Sequence, residues 1–303
     1  MTESKAPVSL QKGVGTGGAP ITSAPLPAMP PHLAGLNLDW GGYLTAGEYR
    51  RAMAAARLAP TPLPSSLLSA LESLHDIQDH VRAHKYPQAR RALNRLTQDL
   101  SEPDAALSEV RRHVSVHTLD AALTSLEAAE TARHVEPEAL TAALQPALDL
   151  PLTRAEALNS VGVLHAIHEE TGQARQLFEQ AAEADAGHYR AVSNIGNLEL
   201  QAGNFKEAEA AQRRAIALNP DFAGAHHNLG VALRRQGRVN DSVKAIRRGQ
   251  RLSVRRMRED APRLSVGSAA NKGLNAKWLT PANLRIIGLV VAALVFYFFL
   301  KGR

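Results

Sequence analysis

The chain reads as all-α, an α-solenoid of helix–turn–helix repeats followed by a single transmembrane helix at the carboxyl end. Three observations lead there. From about Thr45 to Asp260 apolar residues recur at helical spacing, with no sustained alternation and no hairpin dipeptide to signal strands. Three segments repeat with a 34-residue period, a signature of stacked helical units. The 19-residue stretch Ala282–Leu300 is almost wholly apolar.

Residues 1–44 are rich in Gly, Pro, Ser and Thr. Such a segment buries too little apolar surface to offset its ordering entropy, so disorder is expected. It has no apolar run long enough for a signal peptide. Gly13, Gly15 and Gly18 satisfy G-x-G-x-x-G, but no strand precedes them and no helix follows, so they read as composition. Residues 45–153 are expected to be helical, with degenerate repeat-like hairpins. Leu67, Leu68, Leu71, Leu74, Ile77 and Val81 mark one helix face behind Pro64. Tyr86-Pro87 opens the next helix, with Ala89, Leu93 and Leu96 along it, and Ser101, Pro103 and Asp104 break it. Leu119, Ala122, Leu126 and Ala129 repeat the spacing of Tyr86 and its followers 33 residues later, so residues 67–133 read as two hairpins.

Residues 154–260 hold the clearest repeats, at about 154–188, 189–222 and 223–256, ending in a basic cap. Gly162, Gly196 and Gly230 lie 34 residues apart, with Ala174, Ala208 and Ser242, then Ala181, Ala215 and Gly249, in register behind them. Gly203 and Gly237 share a turn position, and Asn219-Pro220 closes the second unit. This pattern resembles the tetratricopeptide repeat, a helix–turn–helix family. Small residues at these places let two antiparallel helices approach, and Val161, Ile195 and Leu229 fill the space between neighbouring pairs. The chain departs from the family at Glu169, where the turn glycine is usual, and at Val254, where the terminal proline is. Leu158, Val192 and His226 stand where an early aromatic is usual.

The resemblance implies a concave groove lined by the first helix of each unit. Its positions here are Asn159, Ser160, Arg190, Ser193, Asn194, Asn197, His227, Asn228, Arg234 and Arg235. Asn194 and Asn228 occupy one position in consecutive units. Amides carry donors and an acceptor, so such a ladder can hold an extended peptide backbone; equally, Asn simply suits this helix position. One subtype of the family grips a terminal carboxylate with Lys, Asn, Asn, Lys and Arg. This chain has Asn159, Val163, Asn194, Gly224 and Asn228 there, and with only Asn194 in agreement that subtype is not expected.

After a flexible basic linker, residues 261–281, the apolar run 282–300 would span roughly 28 Å at about 1.5 Å per residue, close to a hydrocarbon thickness of about 30 Å. Only Lys301-Gly302-Arg303 follow it, which reads as a tail anchor. The net charge of +6 divides unevenly: from Arg234 onward 16 Lys/Arg face 3 Asp/Glu, a net of +13, which leaves −7 for the rest. Arg255, Arg256, Arg258, Lys272 and Lys277 flank the span, with Arg285 at its edge. They are candidates for lipid-headgroup or phosphate contact and place the N-terminal body on the cytoplasmic side. Arg outnumbers Lys 27 to 8, which with the Ala/Leu bias suggests a GC-rich bacterial genome and so a bacterial cytoplasmic membrane.

Catalysis is not expected. The absence of cysteine excludes disulfides, thiolate metal sites and cysteine nucleophiles. No nucleophile elbow, Walker loop or kinase signature is present, and no cofactor is implied. The pairs His80/His84, His113/His117 and His165/His168 lack a third ligand, so no metal site is expected. The function expected is a scaffold or adaptor binding a protein or peptide partner at a membrane; homo-oligomerisation through the repeats is not separable from this. The alternative is a membrane-tethered binder of nucleic acid or anionic lipid through the Arg-rich face 234–258. No aromatic interleaves those arginines, which disfavours nucleic acid.

Overall fold

The computed structural model describes residues 38–132 and 136–260. Among these every regular element is a helix. The order is α1 (Trp40–Thr45), α2 (Tyr49–Arg57), α3 (Ser65–Arg82), α4 (Tyr86–Ser101), a 3-10 turn (Ala105–Leu107), α5 (Ser108–His113) and α6 (Val116–Thr131). Then follow α7 (Pro137–Ala143), α8 (Gln145–Leu148), α9 (Pro151–Ile167), α10 (Thr171–Ala184), α11 (Tyr189–Ala202), α12 (Phe205–Leu218), α13 (Ala223–Arg235) and α14 (Val239–Asp260). Residues up to Gln250 form one compact unit, and a second begins at Arg251. The expected disordered segment reaches too far, because α1 starts at Trp40. Asp39 caps it by accepting from the Gly42 N–H at 2.9 Å, and Leu44 is buried.

One turn recurs along the chain. Gly47, His84, Glu169, Gly203 and Gly237 all have φ between 55° and 82°, and each stands two residues ahead of a helix. In every case the next N–H reaches back five residues. Glu48 bonds Tyr43 O (2.9 Å), Lys85 bonds His80 O (2.8 Å), Glu170 bonds His165 O (3.0 Å), Asn204 bonds Glu199 O (2.9 Å) and Arg238 bonds Leu233 O (2.9 Å). This is the left-handed helix cap that satisfies the last carbonyls of one helix and reverses the chain into the next. It builds the hairpins α1/α2, α3/α4, α9/α10, α11/α12 and α13/α14. The second upstream hairpin, expected within 67–133, takes another form. Val114 is extended there, Ser115 caps α6 afresh, and α6 packs on α4 and the short α8 rather than on an antiparallel partner of its own.

The repeat period is visible in the packing. A Cβ at Gly162 would lie 2.8 Å from the Phe178 ring, one at Gly196 2.6 Å from Gln212 Nε2, and one at Gly230 would collide with Ile246 Cγ1. Each contact falls on the paired helix at the same register. Ala174, Ala181, Ala208, Ala215 and Ser242 are buried at the same seams. The main hydrophobic core, however, lies upstream. Leu67, Leu71, Leu74, Ile77, Leu96, Leu123 and Leu126 form a continuous cluster that also takes in Ala157, Val161 and Leu164 of α9. The repeats downstream hold only small separate clusters. Helix α9 therefore belongs to both parts: it pairs with α10 and packs on α3, α6, α7 and α8.

The αL turn offers a direct test. Glu169 holds φ 63° with an exposed side chain, a conformation costing a non-glycine residue about 1–2 kcal/mol. Glu169→Gly is expected to raise stability by about 1 kcal/mol, and Gly203→Ala, with nothing within 4 Å of the added carbon, to lower it by about the same. Chemical denaturation of the full chain measures both; a destabilised Glu169→Gly would contradict the account.

Candidate functional site

The first helices of the three repeat hairpins, α9, α11 and α13, carry the groove residues expected from the sequence. His227, Arg234 and Arg235 are exposed, while Ser160, Arg190, Asn194, Asn197 and Asn228 are half-buried. Asn159 and Ser193 are only 2% exposed and lie beneath the surface. The asparagines bond to one another. Asn194 Nδ2 donates to Asn159 Oδ1 at 2.9 Å, Asn197 Nδ2 to Asn194 Oδ1 at 3.4 Å, and Asn228 Nδ2 to Asn197 Oδ1 at 2.7 Å. Gln212 joins from α12, donating to Asn197 Oδ1 at 3.1 Å and to Ser193 O at 2.9 Å. This amide strip crosses from one first helix to the next. These bonds tie the three hairpins together, and the half-buried Asn194, Asn197 and Asn228 each keep one amide N–H that the bonds do not use.

At the N-terminal end of the strip a carboxylate is buried. Glu156, on α9, is 1% exposed and accepts from two histidines carried by two turns. His84, in the α3–α4 turn, places Nε2 2.8 Å from Oε1, and His188, before α11, places Nε2 3.0 Å from Oε2. Asn159 Nδ2 and Ser160 Oγ add bonds to Oε1, both at 3.3 Å. The His188 tautomer follows from its other contact: Nδ1 accepts from the Ala191 N–H at 3.2 Å, so the proton sits on Nε2 and is donated to Glu156. His84 turns Nδ1 toward Glu130 Oε1 at 3.2 Å, so with a proton on each nitrogen it donates to both carboxylates. Burial alone would push the Glu156 carboxyl up; hydrogen bonds from His188 and His84 outweigh it and hold the group well below the usual carboxylate range. Burial drives the nearby Tyr86 hydroxyl the other way, far above its ordinary value, and Glu156 and Glu130 add to that.

A second polar bridge runs alongside. Arg82 of α3 grips Asp185 in bidentate fashion, Nε to Oδ2 at 2.6 Å and Nη2 to Oδ1 at 2.7 Å. Tyr189 donates its hydroxyl to Arg82 O at 3.0 Å. Thus α3 is bonded directly to the α10–α11 turn through Arg82 and Asp185, and the α3–α4 turn is joined to it by way of Glu156 on α9, through His84 and His188.

Beside the cluster opens a cavity of about 380 Å³. Its polar wall carries His84, Glu130, Asn159, Ser160 and Arg190; its apolar wall carries Leu126, Leu140, Val163, Leu164 and Ile167. Arg190 Nε is buried and has no hydrogen-bond acceptor among the described residues, a state that costs about 1–3 kcal/mol or more for a charged group.

The basic face is partly engaged. Arg238 pairs with Glu209 (2.9 Å) and Asp241 (2.9 Å), Arg248 with Asp221 (3.6 Å) and Arg255 with Glu259 (3.2 Å). Arg256 and Arg258 are exposed. Lys272, Lys277, Arg285 and the apolar run 282–300 lie outside the described residues; among those described, no helix is long and apolar enough to cross a membrane. No group of three His, Asp or Glu side chains among the described residues is placed to hold a metal ion. The sequence pointed to His84 only as one of a spaced pair, and gave no sign of Glu156, His188, Arg82 or Asp185. Their partners are remote in the chain, and no local spacing records them.

A family model described as a tetratricopeptide repeat matches residues 193–253. The Arabidopsis thaliana protein POLLENLESS 3-LIKE 2 is 38% identical over 71 residues, 23% of this chain and 16% of that protein, so the likeness spans only a small part of the relative's length. Among solved structures, a crystal structure of MamA is similar at 18% identity and TM-score 0.38, over 60% of this chain and 98% of that one. The crystal structure of BtubC (BKLC) from P. vanneervenii is similar at 14% identity and TM-score 0.36, over 73% and 88% of the two chains.

The buried carboxylate makes stability depend on pH in a defined sense. Its folded pKa lies below the ordinary value of 4.5, so its contribution is complete above that value and is lost as pH falls through the folded pKa. Glu156→Gln is expected to destabilise the chain by about 3–5 kcal/mol at neutral pH, and by progressively less below pH 4.5. Denaturant titrations from pH 7 downward measure the gap; a gap that is constant with pH would contradict the assignment.

Proposed function

We propose that this chain is a non-catalytic scaffold that binds a protein or peptide partner along the groove of α9, α11 and α13. The observation that carries the reading is the amide strip. Asn159, Asn194, Asn197 and Asn228 run across three consecutive first helices inside and beside the stretch that matches the tetratricopeptide repeat, residues 193–253. The half-buried members of the strip, Asn194, Asn197 and Asn228, offer polar groups on successive hairpins, as an extended backbone requires, over the buried Asn159. Exposed His227, Arg234 and Arg235 continue it with side chains that can select among partners.

The reading includes a location. The apolar run 282–300 and its basic flank support a single-pass tail anchor with the helical body on the cytoplasmic side, in a bacterial cytoplasmic membrane. The basic residues before the run then gain from anionic headgroups, at about 1 kcal/mol each near the surface.

Two measurements test the two halves. A photo-crosslinking residue at His227 is expected to trap a discrete partner in native cells, and one at Gln180, exposed on α10, to trap none; equal trapping at both would remove the groove from the proposal. Deleting residues 282–303 is expected to move the chain from washed membranes to the soluble fraction, and retention in the membranes would remove the anchor.

A further inference from the structure

We propose that the cavity at the N-terminal end of the groove receives, from a partner peptide, an aliphatic side chain adjacent to an acidic one, with the acidic carboxylate held by Arg190. The inference rests on the scaffold reading above and narrows it to one peptide chemistry.

Two independent features meet at this cavity. The first is apolar. Val163 and Ile167 lie one turn apart on α9 and are 38% and 69% exposed. The second repeat carries Asn197 and Gln201 at those register positions. The third carries Val231 and Arg235 there, so both positions are aliphatic in this repeat alone, where Leu126 of α6 and Leu140 of α7 supply the facing wall. Side chains of this kind in a concave, partly open site favour an aliphatic guest.

The second feature is charge. Arg190 enters the cavity from α11 with Nε buried and no acceptor among the described residues. The carboxylate in the same wall, Glu130, already meets His84, and the buried Glu156 meets His84 and His188. A guanidinium presents parallel N–H groups whose geometry matches a carboxylate. Glu130 in the same wall repels a second negative charge, which favours a singly charged carboxylate over a phosphate dianion. The volume of about 380 Å³ sits at the small end of the range for ligand sites, about 300–1,000 Å³. It suits one or two side chains rather than a helix. Ser160, Asn194 and Asn228 lead away from this point, so the backbone of the guest would continue along the amide strip.

Saturation-transfer NMR titration of the full chain with acetyl-Leu-Glu-amide, acetyl-Leu-Gln-amide and acetyl-Ser-Glu-amide tests this directly. The first is expected to bind about tenfold more tightly than either of the others. Arg190→Gln is expected to erase the preference for Glu over Gln. Ile167→Asp, at an exposed position where folding is not at stake, is expected to abolish binding of acetyl-Leu-Glu-amide by adding a like charge to the aliphatic wall. The proposal is overturned if the three probes bind alike, if none binds, or if Arg190→Gln leaves the ranking unchanged. Should that happen while partner trapping at His227 persists, the cavity assignment falls and the scaffold reading stands; loss of trapping as well removes both.

Discussion

A carboxylate cannot be taken out of water without compensation, and Glu156 is taken out almost completely. The effective penalty for an ion in a protein interior is several kcal/mol, and the hydrogen bonds that offset it must come from groups already fixed in space. Here they come from His84 and His188, which sit on different turns, and from Asn159 and Ser160 on the same helix as the carboxylate. The α3–α4 turn, α9 and the α10–α11 turn are thereby fixed relative to one another. The Arg82–Asp185 pair repeats the linkage a short way along α3. Because α9 also contributes Ala157, Val161 and Leu164 to the upstream core, the junction between that core and the repeats is both apolar and ionic.

The downstream hairpins have no core of comparable size. They hold together by close approach, with Gly162, Gly196 and Gly230 each leaving room for one side chain of the paired helix. The amide strip then ties neighbouring hairpins along the groove. Such an array is built from nearest-neighbour contacts, so its first hairpin needs a firm base. The Glu156 cluster and the upstream core provide one. The same arrangement places a charged, partly apolar cavity at the head of the groove, because the upstream helices end there and the row of first helices begins.

Periodic features were legible in the sequence, and single long-range contacts were not. The 34-residue spacing of glycines located α9 to α14, and the buried small residues Ala174, Ala208 and Ser242 lie at the seams. Glycine at positions 203 and 237 announced the αL turn; at His84 and Glu169 the same turn forms without glycine, since the flanking helices impose it. The α1/α2 hairpin was missed because Gly47 marks it within a segment whose start resembles the Pro/Gly-rich residues before it. Leucine spacing predicts two hairpins over 67–133 and only α3/α4 forms, because spacing reports which face of a helix is buried and not which helix covers it. Register placed the asparagines on successive first helices but not the burial of Asn159 and Ser193, which bond Glu156 and Gln212.

The central claim is that Glu156 joins the upstream helices to the repeat array. Native-state hydrogen exchange on the full chain, with and without Glu156→Gln, tests it most directly. The account predicts that backbone amides of the α3–α4 turn at 84–89 and of the segment 185–192 lose protection together and by similar factors. Loss confined to one of the two segments, or unchanged protection in both, would contradict it.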